Sequence, residues 1–237
     1  IVHQVFLNNF KFLISVPLVI FVALVSAILL FEQFRGWKFF RVIFFLPNVL
    51  SVAVIGLIFT NAFGYDGAVN QFLGLFGVEP IQFFINANYS ILIIILALVW
   101  SGFGYQSLLL LAGLTSINPA VFEAAAIDGA NPRQVFRRIT LPLLLQILSP
   151  LLIASFAFNF NNFNLIYLLT GGGPRNTLDG EVAGATDILI SYTYQIAFGR
   201  NILDFGLASA ISVLIFFLVA SISFYGLRKS KVMETFG

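Results

Sequence analysis

Five stretches of this chain run for roughly the length of a membrane-crossing helix without one charged residue: approximately 12–31, 42–62, 89–113, 141–169 and 205–227. A hydrocarbon core about 30 Å thick needs about 20 apolar residues per helix. Each backbone N–H and C=O inside it must find a partner within the protein, which leaves helices and closed barrels as the only spanning structures. Runs this long and unalternating exclude a barrel. With 59% hydrophobic and 9% charged residues in 237, the expectation is an all-α, polytopic transmembrane helical bundle forming a single domain over 1–237.

The few charges set its orientation. Arg35, Lys38 and Arg41 follow the first run, Arg133, Arg137 and Arg138 the third, and Arg228, Lys229 and Lys231 the fifth. By the positive-inside rule these regions are cytoplasmic. Only Lys11, Arg175 and Arg200 fall on the other side. Five spans with an inside C-terminus place Ile1 outside, so at least one further span is expected upstream. Pro17, Pro47 and Pro142 stand in or at the ends of spans, where each removes a helical hydrogen bond and favours a kink. A net charge of +2 with basic residues in scattered loop clusters excludes a nucleic-acid partner. With no cysteine and a single histidine, His3, disulfides, thiolate chemistry and a His-built metal site are excluded as expectations.

One stretch breaks the apolar pattern. "EAAAIDGANPRQVFRRITLP", residues 123–142, holds five charges between two spans. Asn118–Pro119 offers a helix start, Gly129 a left-handed stop, and Asn131–Pro132 a second start. The segment 118–140 therefore reads as two short cytoplasmic helices joined by a tight turn at Asp128–Gly129. Small residues keep the turn slim enough to enter a groove, while Phe122 and Phe136 can anchor it in apolar pockets.

Glu123, Ala124, Ala125, Asp128, Gly129, Ala130, Phe136, Ile139, Leu141 and Pro142 resemble, position by position, the EAA loop of ABC importer permeases. "LPLLLQILSPLLIASFAFNFNNFNLIYLLTGGGP", "TDILISYTYQIAFG" and "DFGLASAISVLIFFLV" extend the resemblance to binding-protein-dependent sugar permeases, MalF-type subunits of maltose/maltodextrin importers above all. It implies a type I ABC importer permease core in a bacterial or archaeal cytoplasmic membrane. Glu123, Ala124, Ala125, Asp128, Gly129, Ala130 and Phe136 would then couple to the ATPase. The implied partners are a second, MalG-like permease subunit, two ATP-binding subunits that hold ATP and Mg, and an extracytoplasmic sugar-binding protein contacting the outer loop 170–204. That loop has a "GGGP" turn and a mildly acidic tip with Asp179, Glu181 and Asp187, and its 191–199 segment is expected to be helical. The chain lacks any G-x-x-x-x-G-K-S/T run. It is therefore expected to be a transport subunit without its own nucleotide site or cofactor.

Amides at membrane depth mark a candidate ligand site, because an unsatisfied amide in hydrocarbon is costly. At 100° per residue, Ser155, Asn159 and Asn162 share one face of the fourth span, with Phe158 beside them. Amides bridge vicinal hydroxyls and a ring packs on the apolar face of a pyranose, so this face suits an oligosaccharide. Trp100, Gly102 and Tyr105 add to it from the third span. Positions matching Gly102, Tyr105, Ser155, Phe158, Asn159 and Asn162 line the sugar site in the family that the chain resembles. Asn161 and Asn164, off the common face, are expected to bond between helices. Where maltose-type relatives tend to place Tyr and Ser in the second span, Asn48 and Val52 stand here, which leaves a galactose- or raffinose-type oligosaccharide as an alternative substrate. A proton- or ion-coupled secondary transporter would need ionisable groups at depth, and the five spans hold none. A membrane scaffold or sensor would need neither the amide face nor the charged turn.

Overall fold

The computed structural model describes residues 2–175, 183–199 and 203–229. Among them all regular structure is helical. The chain enters through α1 (Val2–Leu13) and α2 (Ser15–Phe31), which together make a membrane-length rod over His3–Phe31. The rod begins nine residues before the expected 12–31 because Asn8, Asn9 and Lys11 sit on α1 without ending it. Both amides find partners far along the chain. Asn8 Nδ2 donates to the carbonyls of Ala185 and Asp187, at 2.9 and 3.0 Å. Asn9 Nδ2 donates to Phe160 O and its Oδ1 accepts from Leu189 N, at 3.0 and 2.9 Å.

The second expected span, 42–62, is not one helix. α3 (Trp37–Val49) and α4 (Val52–Ala62) meet at 96°. Pro47 lies in the last turn of α3, where it cannot donate, and Ser51 restarts the chain by accepting from Val54 N at 3.3 Å. After α5 (Ala68–Gly74), α6 (Ala87–Ser116) runs unbroken as the central rod. The helix α2 packs along it through Ala23 and Ala27, whose small side chains let the two axes close onto Leu110, Leu111 and Leu114. α3 also crosses α6 closely: a Cβ on Gly104 would strike the carbonyl of Phe44. Glycine is required there by contact, not by backbone angle.

α7 (Pro119–Ile127) and α8 (Pro132–Val135) form the charged turn, and a π-helical segment, Phe136–Thr140, leads into α9 (Leu141–Phe160). α9 does not reach 169 as expected: it stops at Phe160, and α10 (Phe163–Thr170) restarts with the Asn162 side chain accepting from Leu165 N. The stretch Leu148–Thr170 is still long and apolar enough to cross a membrane. α11 (Leu189–Phe198) covers one end of the bundle and α12 (Phe205–Lys229) closes it. Among the described residues four helical stretches have the length and composition to cross a membrane, or five if the bent α3–α4 pair counts as one. Exposed rings such as Phe21 and Phe216, each 65% exposed, suit a bundle whose solvent is lipid.

Candidate functional site

Where α4 turns away from α3 and α10 restarts after α9, the bundle is left with a cavity of about 450 Å³ among its apolar helices. Gly102, Tyr105, Ser155, Phe158, Asn159 and Asn162 all line it. The helical-wheel argument explains Ser155 and Asn159 but not Asn162, which lies beyond the end of α9 and reaches the same cavity because the helix stops. Phe158 is 72% exposed and Tyr105 46%, so two rings stand clear of protein packing. Trp100, by contrast, sits in the core against Phe59 and is not on the wall.

The polar groups are held rather than free to collapse. Gln106 Nε2 donates to Ser155 Oγ at 2.5 Å, tying α6 to α9, and Asn159 Nδ2 donates to the Ser155 carbonyl at 2.8 Å. Among the described residues Asn159 Oδ1 has no protein partner, so an acceptor remains available at the wall. Gln106 was not singled out from sequence, since one amide beside Tyr105 carries no periodic signal. Asn164, expected between helices, lines the cavity instead, while Asn161 bonds within its own helix to Ala157 O at 3.3 Å. Asn48 and Val52 complete the opposite wall. A Cβ on Gly102 would meet Val19 at an ordinary 3.6 Å; glycine at this position widens the cavity without being demanded by packing.

The charged turn has a second geometry. Asn118 caps α7 by accepting from Ala120 N at 3.0 Å, and Asn131 and Gln134 cap α8 reciprocally at 2.9 and 2.8 Å. Between them Ala130 N donates to Ala125 O and Gly129 N to Ala126 O, a Schellman closure with Gly129 at φ +70°. Ala124, Asp128 and Gly129 are exposed around a concave face of about 720 Å³, which Ala130 also lines, while Glu123 is exposed outside it. Ala125 is buried and works inside the turn. Phe122 and Phe136 are half-buried in this chain rather than projecting as free anchors.

Residues 15–230 match the family described as "Binding-protein-dependent transport system inner membrane component". The chain belongs to this family. Its curated relatives include the maltose/maltodextrin transport system permease protein MalF of Vibrio parahaemolyticus, 44% identical over 212 residues, with 88% of this chain and 40% of the relative covered. MalF of Escherichia coli K12 is 43% identical over 224 residues, covering 93% and 43%. The chain thus spans well under half the length of these relatives. A bacterial ABC transporter for import of the acidic polysaccharide alginate has the same fold, with TM-score 0.80 at 23% identity over 96% of this chain and 78% of that one. An amino acid ABC transporter solved with histidines aligns at TM-score 0.61 and 15% identity, covering 95% and 90%. Since one fold serves both kinds of cargo, it does not choose the ligand.

At the other end, the outer segment differs from the expected acidic tip. Asp179 and Glu181 lie outside the described residues, and Asp187 is fully buried. Its carboxylate accepts from Gly184 N at 2.8 Å, Ser191 Oγ at 2.7 Å and Gln195 Nε2 at 2.9 Å. Burial raises its pKa above the ordinary carboxylate value, against the lowering effect of these donors and of Arg175. Asp187 therefore organises the loop from within.

Proposed function

We propose that this chain is the membrane-spanning permease of an ATP-driven ABC importer for oligosaccharides of the maltodextrin type, in a bacterial or archaeal cytoplasmic membrane. The observation that carries the reading is the cavity. Two exposed rings and a set of held amides and hydroxyls converge on it from α6, α9 and the α9–α10 break, the mixture that a pyranose chain requires. The identity to MalF proteins of about 43% supports the substrate class. The cargo would reach the cavity from an extracytoplasmic binding protein. A second permease would complete the wall, and two ATP-binding subunits with ATP and Mg would seat on the α7–α8 turn. ATP binding draws the coupling turns together, and the spans rock about the cavity, exposing it to one side at a time.

Asn48 and Val52 on the wall keep a galactose- or raffinose-type oligosaccharide as the second reading. The test is ATP hydrolysis by the complete transporter in vesicles, with its binding protein and a panel of α- and β-linked oligosaccharides. Stimulation by maltodextrins is expected. Stimulation by a galactosyl oligosaccharide alone would transfer the substrate to the second reading, and stimulation by none would refute a sugar permease.

A further inference from the structure

A smaller cavity, about 230 Å³, opens at the opposite end of α6 from Asn86, beside the charged turn. It lies between the last turns of α2 and α6 and the start of α3. Gln33, Arg41 and Thr115 supply polar groups, Trp37 a ring, and Leu108 and Leu111 an apolar floor. We infer that this cavity holds the headgroup of an anionic phospholipid of the cytoplasmic leaflet.

The charge is there and unanswered. Arg35, Lys38 and Arg41 are exposed on one short stretch, and among the described residues no carboxylate pairs with any of them. Lys38 lies 5.9 Å from the Trp37 ring, so that ring is held beside the cationic cluster. Basic residues beside a span attract anionic lipid, and tryptophan favours the headgroup level. The surroundings are apolar on the outside as well: Phe39 is 65% exposed and Val42 64%. A free phosphate in water would gain nothing from that apolar collar or from the leucine floor. A phospholipid uses both, with its acyl chains along α3 and its phosphodiester between Arg41 and the Gln33 amide, since the Thr115 hydroxyl already donates to Ala112 O at 2.9 Å. The volume is below the roughly 300–1,000 Å³ of sites that enclose a whole small molecule, which fits a headgroup whose tails remain in the bilayer. Thr115 stands just before the Asn118 cap of α7, so the bound lipid would brace the root of the charged turn. None of this depends on which cargo the transporter carries.

Trp37 reports on the site directly. With Trp100→Phe it becomes the only tryptophan in the chain, and its fluorescence can be followed in vesicles containing brominated phosphatidylglycerol or brominated phosphatidylcholine. Half-maximal quenching is expected at a lower mole fraction of the anionic lipid than of the zwitterionic one. Arg41→Gln should shrink that preference about five-fold, the factor matching about 1 kcal/mol for one basic residue, and Arg41→Lys should keep most of it. Equal quenching by the two lipids, or an unchanged preference in Arg41→Gln, would overturn the inference. So would relief of the quenching by millimolar inorganic phosphate, which would assign the cavity to a soluble anion. Should Trp100→Phe not fold, native mass spectrometry of the otherwise unaltered chain gives the same decision. More phosphatidylglycerol must be retained by the wild type than by Arg41→Gln, and equal retention refutes the site.

Discussion

At the scale of single residues, two glycines two positions apart do different work. Gly104→Ala must push α3 away from α6, because the obstacle is the Phe44 backbone and not a pliable side chain. Overpacking of this kind costs about 1–3 kcal/mol, so a lower melting temperature in detergent is expected, with loss of the folded form at growth temperature as the severe case. Gly102→Ala should melt like the wild type, since its new methyl group meets only ordinary contact, yet it narrows the cavity and should raise the sugar concentration needed for half-maximal transport. Asp187 gives a pH test. Its pKa in the fold is raised by burial, so the protonated form is the one that the fold favours. The stability it contributes is complete below the ordinary carboxylate range and lost as pH rises through the raised value. Melting temperature should therefore fall from acid toward neutral pH by less in Asp187→Asn than in the wild type. A parallel fall in both would show that Asp187 has no part in it.

At the scale of elements, the breaks matter more than the rods. The rods were legible because a charge-free run of membrane length has one outcome, and 89–113 became the middle of α6 for that reason. The bend after Pro47 was foreseen as a kink, though not its size, while the break at Asn162 was not, because a period of 100° per residue assumes that the helix continues. Side-chain amides compete with the backbone for hydrogen bonds, and the run from Asn159 to Asn164 held that information without a rule to place the stop. Asn8, Asn9 and Gln106 were missed for another reason: their partners lie up to 180 residues away or on another helix. The caps and the turn of the charged segment were readable, since caps and a left-handed glycine are local chemistry, but the packing of Phe122 and Phe136 and the π-helical stretch Phe136–Thr140 were not. It yields its own prediction. A Cβ at Gly129 meets nothing in this chain, but φ is +70°, which costs about 1–2 kcal/mol for most side chains and less for asparagine. Gly129→Leu should leave the spans folded and uncouple ATP hydrolysis from transport, while Gly129→Asn should retain more coupling. Equal, wild-type coupling in both would remove the turn from the machinery.

At the scale of the whole molecule, the cavity and the charged turn sit at two levels of the same bundle, joined through α6 and α9. Under the proposed function, motion at the turn would alter access to the cavity through these two helices. The architecture is shared with importers of alginate and of an amino acid, so the frame alone does not fix the cargo. The wall is therefore where the reading stands or falls. The decisive measurement is ATP-driven uptake of a labelled maltodextrin into vesicles holding the complete transporter, for the wild type and for Asn159→Ala, with assembly of each complex checked in the same preparations. Loss of an amide whose oxygen has no protein partner among the described residues should reduce uptake about ten-fold, the effect of about 1.4 kcal/mol from a hydrogen bond to the sugar, with assembly unchanged. Wild-type uptake by an intact Asn159→Ala complex would contradict the assignment of this cavity to the sugar.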